Sequence, residues 1–254
     1  MTLLPPATAV VAGPATRQSG PLALLAVAVL VAFSIAVPTG AGAVSQRVTF
    51  RTDDGLTLVA TSYEPPSRPA PAVIYVHMLQ KSRRDWDQVA TQLAAEGIGG
   101  LAIDLRGHGE SPGSPQDYTG MVQDVRAARR FLSTRSEGAP SRLGIAGASI
   151  GATLAALASS DDPAVVSLAL LSPSLDYRGL RLDQALKKYG ARPALLVASD
   201  DDGYSLRTVR DLEKSGGGVR EAAILVRAGH GTAMLGGESD LVRRLLEWFR
   251  RTLL

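Results

Sequence analysis

Residues 143–158 read Leu-Gly-Ile-Ala-Gly-Ala-Ser-Ile-Gly-Ala-Thr-Leu-Ala-Ala-Leu-Ala. The uncharged run up to Ala146 predicts a buried strand, and the almost wholly apolar stretch from Ile150 to Ala158 predicts a helix. Between the two there is room only for a tight turn of small residues. A buried strand that passes so directly into a helix predicts an α/β fold built on a mostly parallel sheet.

Short apolar runs alternate with amphipathic stretches on both sides of this segment. The runs predict about eight strands, at residues 47–51, 56–63, 72–76, 98–104, 143–146, 165–171, 194–198 and 222–226. Helices are predicted from a Ser-x-x-acid capping box at Ser82 up to Gly97, and at residues 118–132, 150–158, 182–189, 205–214 and 240–252. Asp53-Asp54-Gly55 predicts a hairpin between the first two strands. We therefore expect one doubly wound, mostly parallel, eight-stranded sheet with helices on both faces.

The chain has 254 residues, of which 45% are hydrophobic and 20% charged, and this composition excludes disorder and collagen. It has no cysteine, so disulfides, thiolate metal sites and cysteine nucleophiles are excluded. Three histidines are too few for a metal cage, and the net charge of +3 is spread along the chain rather than clustered. We therefore expect no metal, no cofactor and no nucleic-acid partner.

The first 43 residues contain a single charged residue, Arg17. An apolar core at 22–37 is followed by Ala41-Gly42-Ala43, which is the pattern of a secretory signal peptide with cleavage after residue 43. The alternative is an uncleaved membrane anchor, but a span needs about 20 apolar residues and this stretch has fewer. The long segment before the core favours a start of translation further downstream. We expect an exported protein, periplasmic or extracellular, with a single mature domain at 44–254 and no stable membrane insertion.

Gly147-Ala148-Ser149-Ile150-Gly151 matches the Gly-x-Ser-x-Gly form of a strand-to-helix turn that exposes a nucleophilic serine. Such a turn is so tight that the residues on either side of the serine must be small. The alternative is a plain Gly-rich turn. Because the predicted strand and helix stand where this chemistry requires them, we interpret Ser149 as the nucleophile.

A serine hydroxyl needs a general base, which at neutral pH is most often a histidine. If the chain order is serine, acid, histidine, the base must follow Ser149, and His230 is the only histidine that does. It lies between two glycines after the last predicted strand, and the alternative is an ordinary surface histidine. The third member is a carboxylate expected after the strand at 194–198, where the candidates are Asp200, Asp201 and Asp202.

These motifs resemble those of the α/β-hydrolases over nearly the whole predicted domain, and among them the compact esterases, dienelactone hydrolases and serine aminopeptidases. The most specific is the run from Asp104 to Ser111, Asp-Leu-Arg-Gly-His-Gly-Glu-Ser, which is similar to the family's Asp-x-Arg-Gly-x-Gly-x-Ser turn. Family members usually carry Gly-x-x-Asp after the acid-bearing strand. With Ser199 in the place of the glycine, this pattern selects Asp202 as the acid.

The resemblance also implies two backbone donors of an oxyanion hole, at Ile150 after the nucleophile and at Leu79 in the loop after the third strand. Many members have His-Gly-x in this loop, whereas here His77 is followed by Met78. We expect the substitution to leave the loop path unchanged, with His77 bracing the loop and His108 in a turn. A distorted loop would weaken catalysis, because one donor is worth about a hundredfold in rate.

Many members insert a helical lid between the strands at 165–171 and 194–198, but only about twenty residues, 172–193, stand there in this chain. We therefore expect no large cap domain and a nucleophile open to bulky or varied acyl groups. Met78, Tyr204 and Tyr177 are candidate pocket residues.

The sequence thus predicts a secreted serine hydrolase that cleaves carboxylic esters with a Ser-His-Asp triad and an acyl-enzyme. The expected partner is a small-molecule ester or amide, and the pattern does not determine the oligomeric state. The resemblance also allows a peptidase or amidase, or a cofactor-free perhydrolase or haloperoxidase. Because a fold does not fix a function, a non-catalytic binding protein is the alternative from a different class.

Overall fold

The structure, a computed structural model, describes residues 12–13, 44–135, 138–214, 217–236 and 240–254. Internal contacts divide the chain into Met1–Thr39 and Gly40–Leu254, and the second unit contains the strands and helices. The core of the predicted signal peptide at 22–37 and its cleavage site lie outside the described residues. No helix within the described ranges is both long and apolar enough to span a membrane.

The described residues form ten strands, eight of which make one sheet. Their bounds are β1 Val44–Arg51, β2 Thr57–Glu64, β3 Ala72–Val76, β4 Gly99–Ile103, β5 Leu143–Ala148, β6 Val165–Leu171, β7 Asp176–Tyr177, β8 Leu180–Arg181, β9 Ala194–Ser199 and β10 Arg220–Leu225. The sheet order is β1-β2-β4-β3-β5-β6-β9-β10. Strand β2 is antiparallel to β1 and β4, and the other neighbours are parallel. The predicted mostly parallel, eight-stranded sheet is confirmed.

Helices cover both faces of the sheet, as predicted. They are α1 Asp87–Ala95, α2 Tyr118–Ser133, α3 Ile150–Ser159, α4 Leu182–Tyr189, α5 Gly203–Lys214 and α6 Leu241–Leu253. Helices α2 to α5 pack into one core, and α1 and α6 into the other. Within β3, Ile74 and Val76 enter the first core while Val73 and Tyr75 enter the second. Because helices bury both faces of the central strands, the exposed polar groups that can meet a ligand lie on the loops at the carboxyl ends of the parallel strands.

The turn between β5 and α3 is tight, because a single residue separates the strand from the helix. Ser149 stands in it with φ 54° and ψ −119°, a left-handed backbone that is uncommon for a residue other than glycine. A Cβ atom on Gly147 would lie 2.1 Å from the Gly151 carbonyl oxygen, and one on Gly151 would lie 2.4 Å from the Val76 oxygen and 2.7 Å from the His77 oxygen. Both glycines are therefore required by the close approach of α3 to the ends of β3 and β5.

The predicted capping box at Ser82 is wrong. Ser82 makes no side-chain cap, and a 3₁₀ turn over Arg83–Trp86 precedes α1. The N–H of Arg83 donates instead to Asp104 Oδ1 at 2.8 Å. The Asp85 carboxylate, which a capping box would turn back onto Ser82, accepts a hydrogen bond from Thr232 Oγ1. Partners distant in sequence have replaced the local cap.

The described stretch 172–193 contains a small hairpin, β7–β8, and helix α4, and no larger cap. The sequence predicted the helix but not the hairpin. Arg178 and Gly179 turn the hairpin with φ values of 52° and 85°, the left-handed pair that a two-residue turn requires.

Replacing Gly151 by alanine should destabilise the fold, because the added Cβ would overlap two backbone carbonyls. We expect the free energy of unfolding to fall by about 3 kcal/mol, the upper part of the range for overpacking. Urea unfolding followed by circular dichroism measures this loss.

Gly203→Ala is the matched control for that measurement. Its Cβ would lie 3.5 Å from Arg207 Nη1, an ordinary contact on an exposed helix, and we expect a change within about 0.5 kcal/mol. Wild-type stability in Gly151→Ala would contradict the close approach of α3 to β3.

Candidate active site

Ser149 stands at the carboxyl end of β5, partly exposed to solvent. Its N–H donates to the carbonyl oxygen of Leu171, the last residue of β6, at 2.8 Å. The left-handed backbone of Ser149 is therefore tied to the neighbouring strand. A rigidly held serine with an accessible hydroxyl meets the geometric requirement for a nucleophile.

His230 follows β10 and contacts two of the predicted site residues. Its Nε2 atom lies 2.8 Å from Ser149 Oγ, and its Nδ1 atom lies 2.6 Å from Asp202 Oδ2. Since an ionised carboxylate can only accept, Nδ1 carries the proton in this contact and Nε2 is left to accept the serine proton. The structure thus brings Ser149, His230 and Asp202 together in one continuous line of hydrogen bonds.

Asp202 is kept ionised by its surroundings. Partial burial opposes ionisation, but hydrogen bonds from Ser205 and His230 outweigh this effect and lower the pKa of Asp202. The Ser205 N–H, in the first turn of α5, donates to Asp202 Oδ1 at 3.3 Å. This leaves Oδ2 for the imidazole, so the two oxygens have separate partners.

The other two candidate acids do not contact the imidazole. Asp200 Oδ1 accepts from the Arg227 N–H at 2.7 Å, and Asp201 Oδ1 accepts from the Gly229 N–H at 3.2 Å. Of the three consecutive aspartates, the one that faces His230 is the one selected by the family pattern.

The two predicted oxyanion donors lie on separate segments. Ile150 is the first residue of α3, so its N–H is among those without a partner inside the helix. The Leu79 N–H shares a peptide unit with the Met78 carbonyl, which lies 2.7 Å from His77 Nδ1. Because the C=O and N–H of a trans peptide point in opposite directions, this contact turns the Leu79 N–H away from His77.

His77 braces this loop as a neutral ring. Its Nε2 atom accepts from the Leu105 N–H at 3.1 Å. A backbone N–H can only donate, so Nε2 is unprotonated and Nδ1 donates to the Met78 carbonyl. Burial lowers the pKa of His77 to about 4. The ring is therefore uncharged at neutral pH and holds one fixed tautomer.

Met78, in the place where the family has a glycine, lies close to the loop that carries His230. Its Sδ atom would lie 2.5 Å from a Cβ on Gly231, the residue after His230. The side chain is partly exposed. Met78 therefore borders the site, as a pocket residue would.

The two tyrosines proposed for the pocket differ in their contacts. Tyr204 is 50% exposed, and its hydroxyl accepts from Ser174 Oγ at 3.2 Å, which links α5 to the segment after β6. Tyr177 packs edge-on against Tyr118, with 5.4 Å between the ring centroids. Tyr204 is thus free to meet a ligand on one face, whereas Tyr177 belongs to the packing of the hairpin.

The turn that begins at Asp104 supports the site from behind. Asp104 Oδ2 accepts from the Glu110 N–H at 2.9 Å. His108 Nδ1 lies 3.0 Å from the Arg106 carbonyl, and its ring centroid lies 5.2 Å from that of His77. His108 is therefore a turn residue, as predicted, and the turn acts on the site through His77.

A family model described as serine aminopeptidase, S33, matches residues 67–205, more than half of the chain. The chain belongs to this family of α/β-hydrolases. The match includes Ser149 and Asp202 and ends before His230. The prediction that the chain is an α/β-hydrolase is confirmed.

Curated relatives of this chain include two uncharacterised proteins of Mycobacterium tuberculosis, from strains CDC 1551 / Oshkosh and ATCC 25618 / H37Rv. Each is 30% identical over 172 residues, which cover 61% of this chain and 61% of the relative. The chain therefore spans less than two thirds of the length of these relatives.

Solved structures with the same fold include a dienelactone hydrolase from Anabaena variabilis, with a TM-score of 0.72 and 19% identity over 84% of this chain and 100% of that chain. An esterase of Pyrococcus furiosus gives a TM-score of 0.68 and 18% identity over 84% of this chain and 94% of that one. The esterase domain of a Rhodothermus marinus protein gives a TM-score of 0.65 and 20% identity over 82% of this chain and 99% of that one. At these identities the likeness establishes the fold alone.

Sequence reasoning missed Ser172 and the pair Asp85 and Thr232. Ser172 directly follows β6 with φ 46°, and its Oγ accepts from the Gly231 N–H at 2.9 Å. Thr232 donates a hydrogen bond to Asp85, in the 3₁₀ turn Arg83–Trp86. This turn follows the loop at residues 77–79, which we call the oxyanion loop because it contains the predicted donor Leu79. A small polar residue at the carboxyl end of a strand was the one available signal for Ser172.

Protonation of His77 should lower the stability of the fold below neutral pH. In the unfolded chain a histidine binds a proton near pH 6.5, whereas buried His77 does so near pH 4. Between these values the unfolded state holds more protons, so the stability contributed by His77 is present at neutral pH and is lost as the pH falls. We expect this group to lower the free energy of unfolding by about 3 kcal/mol between pH 7 and pH 4.

Urea unfolding at several pH values, compared with His77→Gln, isolates this contribution. A glutamine amide offers one donor and one acceptor without titrating in this range. The difference between the two proteins should therefore change with pH. A difference that is constant from pH 4 to 7 would contradict the assignment.

Proposed function

We propose that this chain is a serine hydrolase that cleaves carboxylic esters through an acyl-enzyme on Ser149. The observation that carries the proposal is the continuous line of hydrogen bonds from Ser149 through His230 to Asp202, with contacts of 2.8 and 2.6 Å. Membership of a hydrolase family and a fold shared with esterases support the same class.

In the first half-reaction His230 Nε2 takes the hydroxyl proton as Ser149 Oγ bonds to the ester carbonyl carbon. The carbonyl oxygen becomes an oxyanion, to which the Ile150 and Leu79 N–H groups donate. As the tetrahedral intermediate collapses, the imidazolium gives its proton to the departing alkoxide. The products of this step are an acyl-serine and an alcohol.

In the second half-reaction His230 takes a proton from water, and the resulting hydroxide adds to the acyl carbon. Collapse breaks the bond to Ser149 Oγ, which regains its proton from the imidazolium, and a carboxylic acid leaves. Asp202 stays ionised throughout, orients the ring and stabilises its positive charge.

The carboxylates around the site favour an ester over a peptide with a free amino terminus. A peptide amine is a cation, and binding it would need a carboxylate held toward it. Four carboxylates on the described loops around Ser149 already accept hydrogen bonds, Asp85 from Thr232, Asp200 and Asp201 from backbone amides and Asp202 from His230. An ester needs no such partner.

The exposure of the histidine favours bulky or varied substrates. The His230 side chain is 46% exposed, and the described stretch 172–193 forms no cap domain. An acyl or alcohol group of considerable size can therefore reach Ser149 without a conformational change.

The proposal predicts that a fluorophosphonate probe labels the wild-type protein and not Ser149→Ala. It also predicts turnover of aryl esters that falls by about 10³-fold or more in His230→Ala, because the general base is then absent. A panel of short-chain and long-chain aryl esters, with circular dichroism to show that each variant is folded, measures both. Equal labelling of wild type and Ser149→Ala would contradict the assignment of Ser149 as the nucleophile.

The same panel, extended with aminoacyl amides, separates two alternatives. Turnover of aminoacyl amides but not of esters would favour a peptidase or amidase. The substitution of Met78 for the family's glycine in the oxyanion loop is the observation that favours a non-catalytic binding protein. Triad-independent background rates on every ester and amide would favour that protein.

We also propose that the domain is exported and processed after Ala43. The apolar core at 22–37 and the Ala41-Gly42-Ala43 pattern support this proposal. Amino-terminal sequencing of the protein recovered outside the cytoplasmic membrane should begin at Val44. Recovery of the full chain in the membrane fraction would favour an anchor instead.

A further inference from the structure

The loop that carries His230 has little regular structure of its own. We call residues 226–231 the His230 loop. Three of its residues, Arg227, Gly229 and Gly231, have left-handed backbones with φ values of 45°, 81° and 60°. A 3₁₀ helix begins only at Gly231, the last of these residues. No strand or helix ladder sets the path of the loop before it, so the position of the imidazole depends on how the loop is held.

Side chains of the run Ser199–Asp201, just before Asp202, hold successive amides of this loop. Each of the three accepts a hydrogen bond from a different backbone N–H, so the contacts cover three consecutive loop residues. They are Arg227 N–H to Asp200 Oδ1 at 2.7 Å, Ala228 N–H to Ser199 Oγ at 2.7 Å and Gly229 N–H to Asp201 Oδ1 at 3.2 Å. The fourth contact, from Asp202, is to the His230 ring itself.

The holding residues are themselves fixed. Ser199 is fully buried at the end of β9, and its hydroxyl donates to the Asp201 carboxylate. The Asp200 N–H donates to the Leu225 carbonyl at 2.9 Å, which continues the pairing of β9 with β10. The hydrogen bond from Ser199 lowers the pKa of Asp201, and the hydrogen bond from the Gly229 N–H adds to this effect. Burial acts in the opposite direction but does not outweigh them. The acceptors are therefore ordered and ready before His230 acts.

We propose that Ser199, Asp200 and Asp201 are positioning residues, which set the path of the His230 loop so that Nε2 faces Ser149. The inference rests on the proposed function, because the alignment of Nε2 with Ser149 matters for turnover only if this pair is catalytic. A misplacement of about 1 Å at a reacting group is enough to cost about a hundredfold in rate. The consecutive polar residues before the acid are then explained, since each one has its own amide to hold.

Charge is the competing explanation for the two aspartates. A carboxylate near His230 stabilises the imidazolium whether or not it accepts a hydrogen bond. Asparagine separates the two effects, because its amide oxygen can accept from the same N–H while it carries no charge. Ser199→Ala tests the hydrogen bond alone, because it removes an acceptor without any change of charge.

The experiment compares Ser199→Ala, Asp200→Ala and Asp201→Ala with Asp200→Asn and Asp201→Asn, using kcat and KM on an aryl ester. We expect the alanine variants to lose about tenfold to a hundredfold in kcat with KM within about twofold of wild type, and the asparagine variants to stay within about threefold in kcat. Asp211→Ala, which removes an exposed carboxylate from α5, is the matched control and should behave as wild type.

Hydrogen exchange of the amides of residues 227–229 provides a readout that does not depend on activity. Protection should fall in the alanine variants and persist in the asparagine variants, with thermal unfolding as the test of folding. The aspartate variants lie at exposed positions, so the comparison stands even if Ser199→Ala fails to fold.

Two results would overturn the proposal. Alanine variants with wild-type kcat and unchanged amide protection would show that the contacts do not position the loop. Asparagine variants as impaired as the alanine ones, with amide protection intact, would assign the effect to charge. If the wild type has no Ser149-dependent turnover, the proposed function fails separately, and amide protection at 227–229 still decides whether these side chains hold the loop.

Discussion

The close approach of α3 to the ends of β3 and β5 is the constraint on which the rest of the structure depends. A side chain at Gly147 or Gly151 would overlap backbone atoms of the opposite segment. Because the connection is so short, Ser149 adopts a left-handed backbone and α3 begins at the very next residue, whose N–H has no partner inside the helix. The same approach brings Gly151 against the carbonyl of His77, where the oxyanion loop starts. One packing constraint thus fixes Ser149 and the starting points of the segments that carry Ile150 and Leu79.

Polar side chains carry this arrangement outward from one strand end to the next. His77 ties the oxyanion loop to the turn after β4, and Asp104 ties that turn to the segment before α1. Ser172 ties the end of β6 to the His230 loop. Such contacts fit the architecture, because the carboxyl ends of parallel strands lie side by side and their loops are exposed to water on one side. An acceptor on one loop therefore finds its donor on the next.

The sequence predicted the elements whose signal is local and left open those that depend on distant partners. Strands β3 and β6 and helix α4 have the predicted bounds, because uncharged runs and amphipathic periodicity reflect burial directly. Ser149 and His230 followed from a turn motif and from chain order. The choice among three aspartates needed the family pattern, since composition cannot tell which carboxylate meets a ring and which meets amides. The capping box at Ser82 failed for the same reason, because Asp104 and Thr232 take the groups that a local cap would use.

The described stretch 172–193 forms no cap domain, which explains the exposure of the site. It also explains why the polar run before Asp202 is needed to hold the His230 loop. A histidine under a lid can be oriented by packing, but the His230 side chain is 46% exposed and lies between two left-handed glycines. The imidazole must then be oriented by hydrogen bonds to the backbone of the His230 loop. These bonds come from the sheet rather than from the solvent side, which stays open. The ends of β9 and β6 supply them, and both strands are locked into the sheet. In the proposed reaction a bulky substrate therefore approaches from solvent without displacing any of the groups that hold the His230 loop.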